Sequence, residues 1–80
     1  MAITATNTIE IHGYNIVVEE HHDPKYNLIH ARAWIEGDET GPEWTALEIS
    51  KNDWQSDMYG ISRTGDTAIS CLREMIKDTL

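Results

Sequence analysis

The sequence predicts an α+β domain in which an antiparallel sheet of three to four strands packs one face against a single C-terminal helix. Three observations carry this reading. Apolar and polar residues alternate through residues 9–18 and again through 29–49, the period of half-buried strands. The last fifteen residues switch to helical spacing. The length of 80 residues suits one domain with one modest core, and 40% apolar and 25% charged residues are globular proportions that exclude general disorder.

Residues 1–7 are small and polar without a period, and are expected to be a flexible end of the single domain 1–80. From Thr8 onward, Ile9 and Ile11 are followed by Tyr14, Ile16 and Val18, so the apolar parity changes at His12-Gly13. Two readings fit: a two-residue hairpin turn, or a bulge at Gly13 within one long strand. His21-His22-Asp23-Pro24-Lys25 breaks the alternation and forms a second connection, because proline cannot donate to a ladder. Residues 26–36 give the strongest strand signal, with Ile29, Ala31, Ala33 and Ile35 on one face. Gly37 to Pro42 reads as a loop and residues 43–50 as the returning strand.

Centring that loop on Glu39 pairs Ile29 with Ile49, Ala31 with Leu47 and Ala33 with Thr45. The other face then sets Trp34 opposite Trp44 and His30 opposite Glu48. Ala31 and Ala33 are small enough to let a helix lie close, so the odd-numbered face is expected to receive it. Residues 51–65 admit a fourth short strand or a packed loop. Asp66-Thr67 suits a helix cap, and Ala68, Ile69, Leu72, Met75, Ile76 and Leu80 form the apolar stripe that follows, with Lys77 placed well for the helix dipole.

No catalytic motif accompanies this fold. The run Glu19-Glu20-His21-His22-Asp23 has metal-ligand chemistry, but neighbours on an extended chain point to opposite sides and no helical His-x-x-x-His spacing is present. Cys71 falls within the helical stripe, where a thiol behaves as a small core residue, and being single it forms no internal disulfide. Neither an enzyme, a cofactor nor a metal is expected.

Charge is more informative. Fourteen acids against six Lys and Arg give a net charge of −8, which argues against direct binding of nucleic acid or an anionic membrane and favours a basic protein partner. Residues 1–24 and 36–57 together supply −10, whereas residues 58–80 balance. With no basic, apolar leader at the start, the expected location is the cytoplasm. The candidate partner-binding site is therefore the sheet face away from the helix. It comprises Trp34 and Trp44 as anchors, His30 beside them, and Glu36, Asp38, Glu39, Glu43 and Glu48 as the acidic rim, because aromatics dominate interface energetics and carboxylates set orientation. Homodimerisation is the other use open to that face.

Two resemblances bear on function. Thr64-Gly65-Asp66-Thr67-Ala68, followed by Ile69, Leu72 and Ile76, resembles the Gly-Asp-Thr helix start of HicB-type antitoxins over about a fifth of the chain. That resemblance implies a sheet carrying a helix on one face and a role neutralising a basic toxin RNase. In size and charge, though in no motif, the chain resembles the small acidic phage proteins that disarm host defences, among them anti-CRISPR inhibitors and DNA mimics. This implies an inhibitor that occupies the nucleic-acid-binding surface of a host protein.

Overall fold

The computed structural model describes residues 2–25, 27–38 and 40–80. The chain runs β1 (Ala2–Ile11), β2 (Tyr14–Asp23), β3 (Leu28–Ile35), β4 (Glu43–Ser50), β5 (Asp53–Met58), β6 (Ile61–Gly65) and α1 (Ala68–Thr79). All six strands form one antiparallel meander in sequence order, and α1 packs against one face, chiefly over β4, β5 and β6. No helix among the described residues is long and apolar enough to cross a membrane.

The α+β class with a C-terminal helix is as expected, but the sheet has six strands where three to four were predicted. Both extra strands lack apolar alternation, and the reason is visible in their partners. In β5 the inward residues are Trp54, Ser56 and Met58; Ser56, which interrupts the apolar pair, is buried, and its hydroxyl is satisfied by the Thr45 carbonyl at 2.5 Å. In β6, Arg63 and Gly65 occupy the corresponding places opposite Ser56 and Trp54. Polar strand residues held by hydrogen bonds leave no hydrophobic period to read. At the other end, residues 2–7, expected as a flexible end, are paired with β2, which continues through Asp23. A β-branched, threonine-rich strand at a sheet edge needs no buried face of its own.

Two tight turns share one sequence device. His12-Gly13 joins β1 to β2 as a hairpin, with φ of 52° and 82°, and Tyr59-Gly60 joins β5 to β6 with φ of 56° and 76°. Positive φ at both central residues is the type I′ geometry that matches strand twist, and glycine adopts it at the second position without strain.

The core lies between α1 and the sheet. Ala31 and Ala33 on β3 and Ala46 on β4 form a fully buried floor of small side chains, and above it lie Ala68, Cys71, Leu72, Met75 and Ile76 of the helix. Ile11, Ile16 and Val18 close one flank, Trp44 and Trp54 the other. Burying a large apolar side chain contributes about 1.5–3 kcal/mol, so this one layer must supply most of the stability. The helix begins at Thr67, whose side chain accepts from Ser70 N while Ser70 Oγ accepts from Thr67 N, a reciprocal cap.

Candidate protein-binding face

A single helix leaves the opposite face of the sheet bare, and cross-strand pairing decides what that face carries. Val17 lies opposite Trp34, Glu19 opposite Arg32 and His21 opposite His30. On the next strand Glu43 lies opposite Trp34, Thr45 opposite Arg32 and Leu47 opposite His30, and Gln55 of β5 follows Leu47. Four strands thus bring Glu19, His21, His30, Arg32, Trp34, Glu43, Thr45, Leu47, Gln55 and Asp57 to one surface.

The expected register between β3 and β4 is off by one residue. Ala33, not Trp34, lies opposite Trp44, and Ala31 lies opposite Ala46. Because side chains alternate, this slip moves every β4 residue to the other face. Trp44 is therefore not a surface anchor: it is 1% exposed beneath the helix, and its indole Nε1 donates to Thr79 Oγ1. Glu48 is half-buried on the helix side opposite Trp54, away from the proposed rim. Trp34 and His30 do lie on the open face, both half-buried, and Glu43 is there and exposed. Glu36 and Asp38 are exposed in the β3–β4 connection, while Glu39 lies outside the described residues.

Local chemistry divides this face into two parts. At one end the Arg32 guanidinium sits 4.9 Å from the Trp34 ring centroid and donates to Glu43 Oε2 at 2.9 Å. Cation–π attraction and the ion pair fix the guanidinium between the indole and the carboxylate. These three residues, with Gly41 and Pro42, line a depression of about 380 Å³. At the centre the imidazoles of His21 and His30 stack with centroids 5.8 Å apart and planes inclined by 21°. His21 Nε2 is buried 3.4 Å from Glu19 Oε1 without hydrogen-bond alignment. A second depression of about 380 Å³ is lined by His30, Thr45, Leu47, Ile49, Gln55 and Asp57. Leu47 and Ile49 are exposed there, at 38% and 53%.

Around these apolar groups the open face carries Glu10, Glu19, Asp23, Glu43 and Asp57, with Arg32 among them. Acidity also extends to the covered side, where Glu20, Glu48 and Asp66 surround the start of α1, a position the helix dipole favours. His21 and His22 point to opposite faces, and His22 Nε2 contacts Asn27 Oδ1 at 3.3 Å. Among the described residues no three His, Cys, Asp or Glu side chains gather as a metal-ion site. The Cys71 thiol is buried, donates to the Arg63 carbonyl at 3.4 Å, and has its pKa pushed up, mainly by burial and further by Asp57, against a smaller lowering by a backbone hydrogen bond at Ser56.

Glu19, Asp23, Arg32, Leu47, Ile49, Gln55 and Asp57 were missed as site residues. A usable signal was present: Ala46, like Ala31 and Ala33, is small enough to lie beneath a helix, and that placement puts Trp44 inside and Leu47 outside. Comparison with protein families, curated proteins and solved structures returns no match.

Proposed function

We propose that this protein is a small acidic, non-enzymatic inhibitor that docks the open sheet face onto a basic site of a nucleic-acid-handling protein, in the manner of phage anti-defence proteins. The observation that carries the reading is a bare sheet face on which Trp34, Leu47 and Ile49 stand among Glu19, Asp23, Glu43 and Asp57. Apolar groups exclude water from a docked partner, and the surrounding carboxylates steer cationic surfaces and repel nucleic acid. No cofactor takes part. The site of action is the cytoplasm, that of the host cell for a phage-encoded protein.

The antitoxin reading rests on Gly65-Asp66-Thr67. Those residues have a complete structural reason in the close passage of Gly65 against α1 and in the Thr67 cap, so the inhibitor reading is preferred.

The test uses DNA-cellulose loaded with basic nucleic-acid-binding proteins of a bacterial lysate. The pure protein should release a discrete subset in a salt-dependent way, and Leu47→Asp or Trp34→Ala should abolish the release while the fold is retained. Release of nothing, or equal release by both variants, overturns the proposal.

A further inference from the structure

The sheet has two edges, and they are treated differently. The β6 edge is short and blunted: it spans only Ile61–Gly65, α1 packs against it, and Arg63 ties it to Asp78 of the helix. Arg63 Nη1 also donates to the Ser62 carbonyl at 2.8 Å, occupying an acceptor that would face an incoming strand. The β1 edge is less protected, and it meets α1 far more sparsely. It is ten residues long and contains no proline, lysine or arginine. Residues 1–9 are the longest run in the sequence without a charged side chain. A long edge without such protection is a template for another strand.

The register identifies which backbone groups are open. In a two-residue hairpin the pair flanking the turn, here Ile11 and Tyr14, exchanges both hydrogen bonds, and the pairs then alternate. The Glu10–Asn15 pair is therefore of the non-bonded kind. In agreement, the Asn15 carbonyl is turned toward β3, where it accepts from Glu36 N at 2.8 Å. By the same alternation the N–H and C=O groups of Thr6, Thr8 and Glu10 point outward from the sheet. Nearer the start, a register shift between Ile3 and Ala5 leaves Thr4 as a bulge, so the regular edge is Ala5 to Ile11.

We propose that this edge pairs antiparallel with β1 of a second copy, about a two-fold axis at Thr8, to form one continuous sheet. With Thr8 opposite the partner's Thr8, Thr6 falls opposite the partner's Glu10, and all three outward residues of each chain find bonding partners. A chain of net charge −8 repels its copy in general, and this contact limits that cost without removing it: the partner's Glu10 shares a row with Glu19 across Thr6, two strand spacings or about 10 Å away. Glu10 faces threonine, and the two Glu10 residues stand four strand positions apart, roughly 14 Å, beyond the screening length of about 8 Å at physiological salt.

Sedimentation velocity from micromolar to millimolar protein should show the mass rise from 9.1 kDa to twice that value. Thr8→Pro removes an outward N–H without touching the β1–β2 ladder, and Thr8→Lys sets two ammonium groups at the axis; both should remain folded by circular dichroism and monomeric. Thr8→Cys should form an intermolecular disulfide on mild oxidation, since bonded antiparallel pairs hold Cα atoms about 5.5 Å apart. Thr6→Cys should not. A wild-type monomer throughout, a dimer that survives Thr8→Lys, or cross-linking by Thr6→Cys in place of Thr8→Cys overturns the proposal.

Discussion

Trp44 donates its indole N–H to Thr79 Oγ1 at 2.7 Å, and that hydroxyl donates in turn to the Met75 carbonyl at 3.0 Å, so the middle of the sheet is fastened to the last turn of the helix. A buried ring with its polar edge satisfied is a structural member of the core. Trp34, across the sheet and half-buried, packs on Arg32 instead.

The two indoles should respond to truncation in opposite ways. Trp44→Ala should cost about 3–5 kcal/mol, a large share of the stability of so small a domain, whereas Trp34→Ala should cost about 1 kcal/mol or less. Thr79→Val, which strands the indole N–H, should cost about 1 kcal/mol, at the low end because the site is only partly buried. Urea unfolding followed by far-ultraviolet circular dichroism measures all three. Equal losses at Trp34 and Trp44 would contradict the assignment of faces.

The hairpin at His12-Gly13, one of two readings of the parity change, and the helix with its Thr67 cap were legible because each has a local cause: a parity change at a glycine, and a polar cap before a 3.6-residue period. The β3–β4 register was not, because it depends on a loop of uncertain centre, and one residue of error exchanges Trp44 for Leu47. Residues 51–65, open between one short strand and a packed loop, form two strands, β5 and β6, and that hairpin escaped for a different reason. The apolar run of Trp54, Met58 and Ile61 on its inward side is interrupted by Ser56, Arg63 and Gly65, which owe their places to a hydrogen bond, an ion pair with Asp78 and a close approach to the helix. Tyr59-Gly60 repeats the form of His12-Gly13 and was the available sign of that hairpin.

Two glycines should fail for different reasons when a methyl group is added. At Gly65 a Cβ would collide with Ser70 Oγ and lie 2.6 Å from the Cys71 backbone nitrogen, so Gly65→Ala must push α1 off the sheet and should cost about 1–3 kcal/mol or more. At Gly13 nothing among the described residues lies within 4 Å of an added Cβ, and Gly13→Ala meets the strain of φ +82°, about 1–2 kcal/mol. The two are separated by the reaction of Cys71 with a thiol reagent in the native state: Gly65→Ala should speed it by loosening the helix, and Gly13→Ala should change it less.

Cys71 gives stability a pH dependence of known sign. Its pKa in the folded protein is raised above the ordinary 9.0, with burial as the leading cause, so the folded state holds the proton more tightly than the unfolded chain. The contribution is fully present below pH 9.0 and is lost as pH rises through 9.0 toward the higher folded value. Urea midpoints measured at intervals from pH 8 to pH 10.5 should fall more steeply for the wild type than for Cys71→Ala. Parallel curves would show that the thiol ionises equally well in both states.

The β1–β2 turn offers a gain of stability. His12 occupies the first central position of a type I′ turn at φ 52°, a conformation that asparagine adopts more readily than histidine. The side chain it would give up makes only a long contact, Nε2 to the Lys77 carbonyl at 3.5 Å, in an exposed setting. His12→Asn creates the Asn-Gly pair most favoured in two-residue hairpins while leaving the strands unchanged. Relief of backbone strain should outweigh the lost contact, raising stability by about 0.5–1 kcal/mol, on the scale of other conformational substitutions in turns. A fall in the urea midpoint would instead mean that the His12 contact with the end of α1 helps to hold the hairpin against the helix.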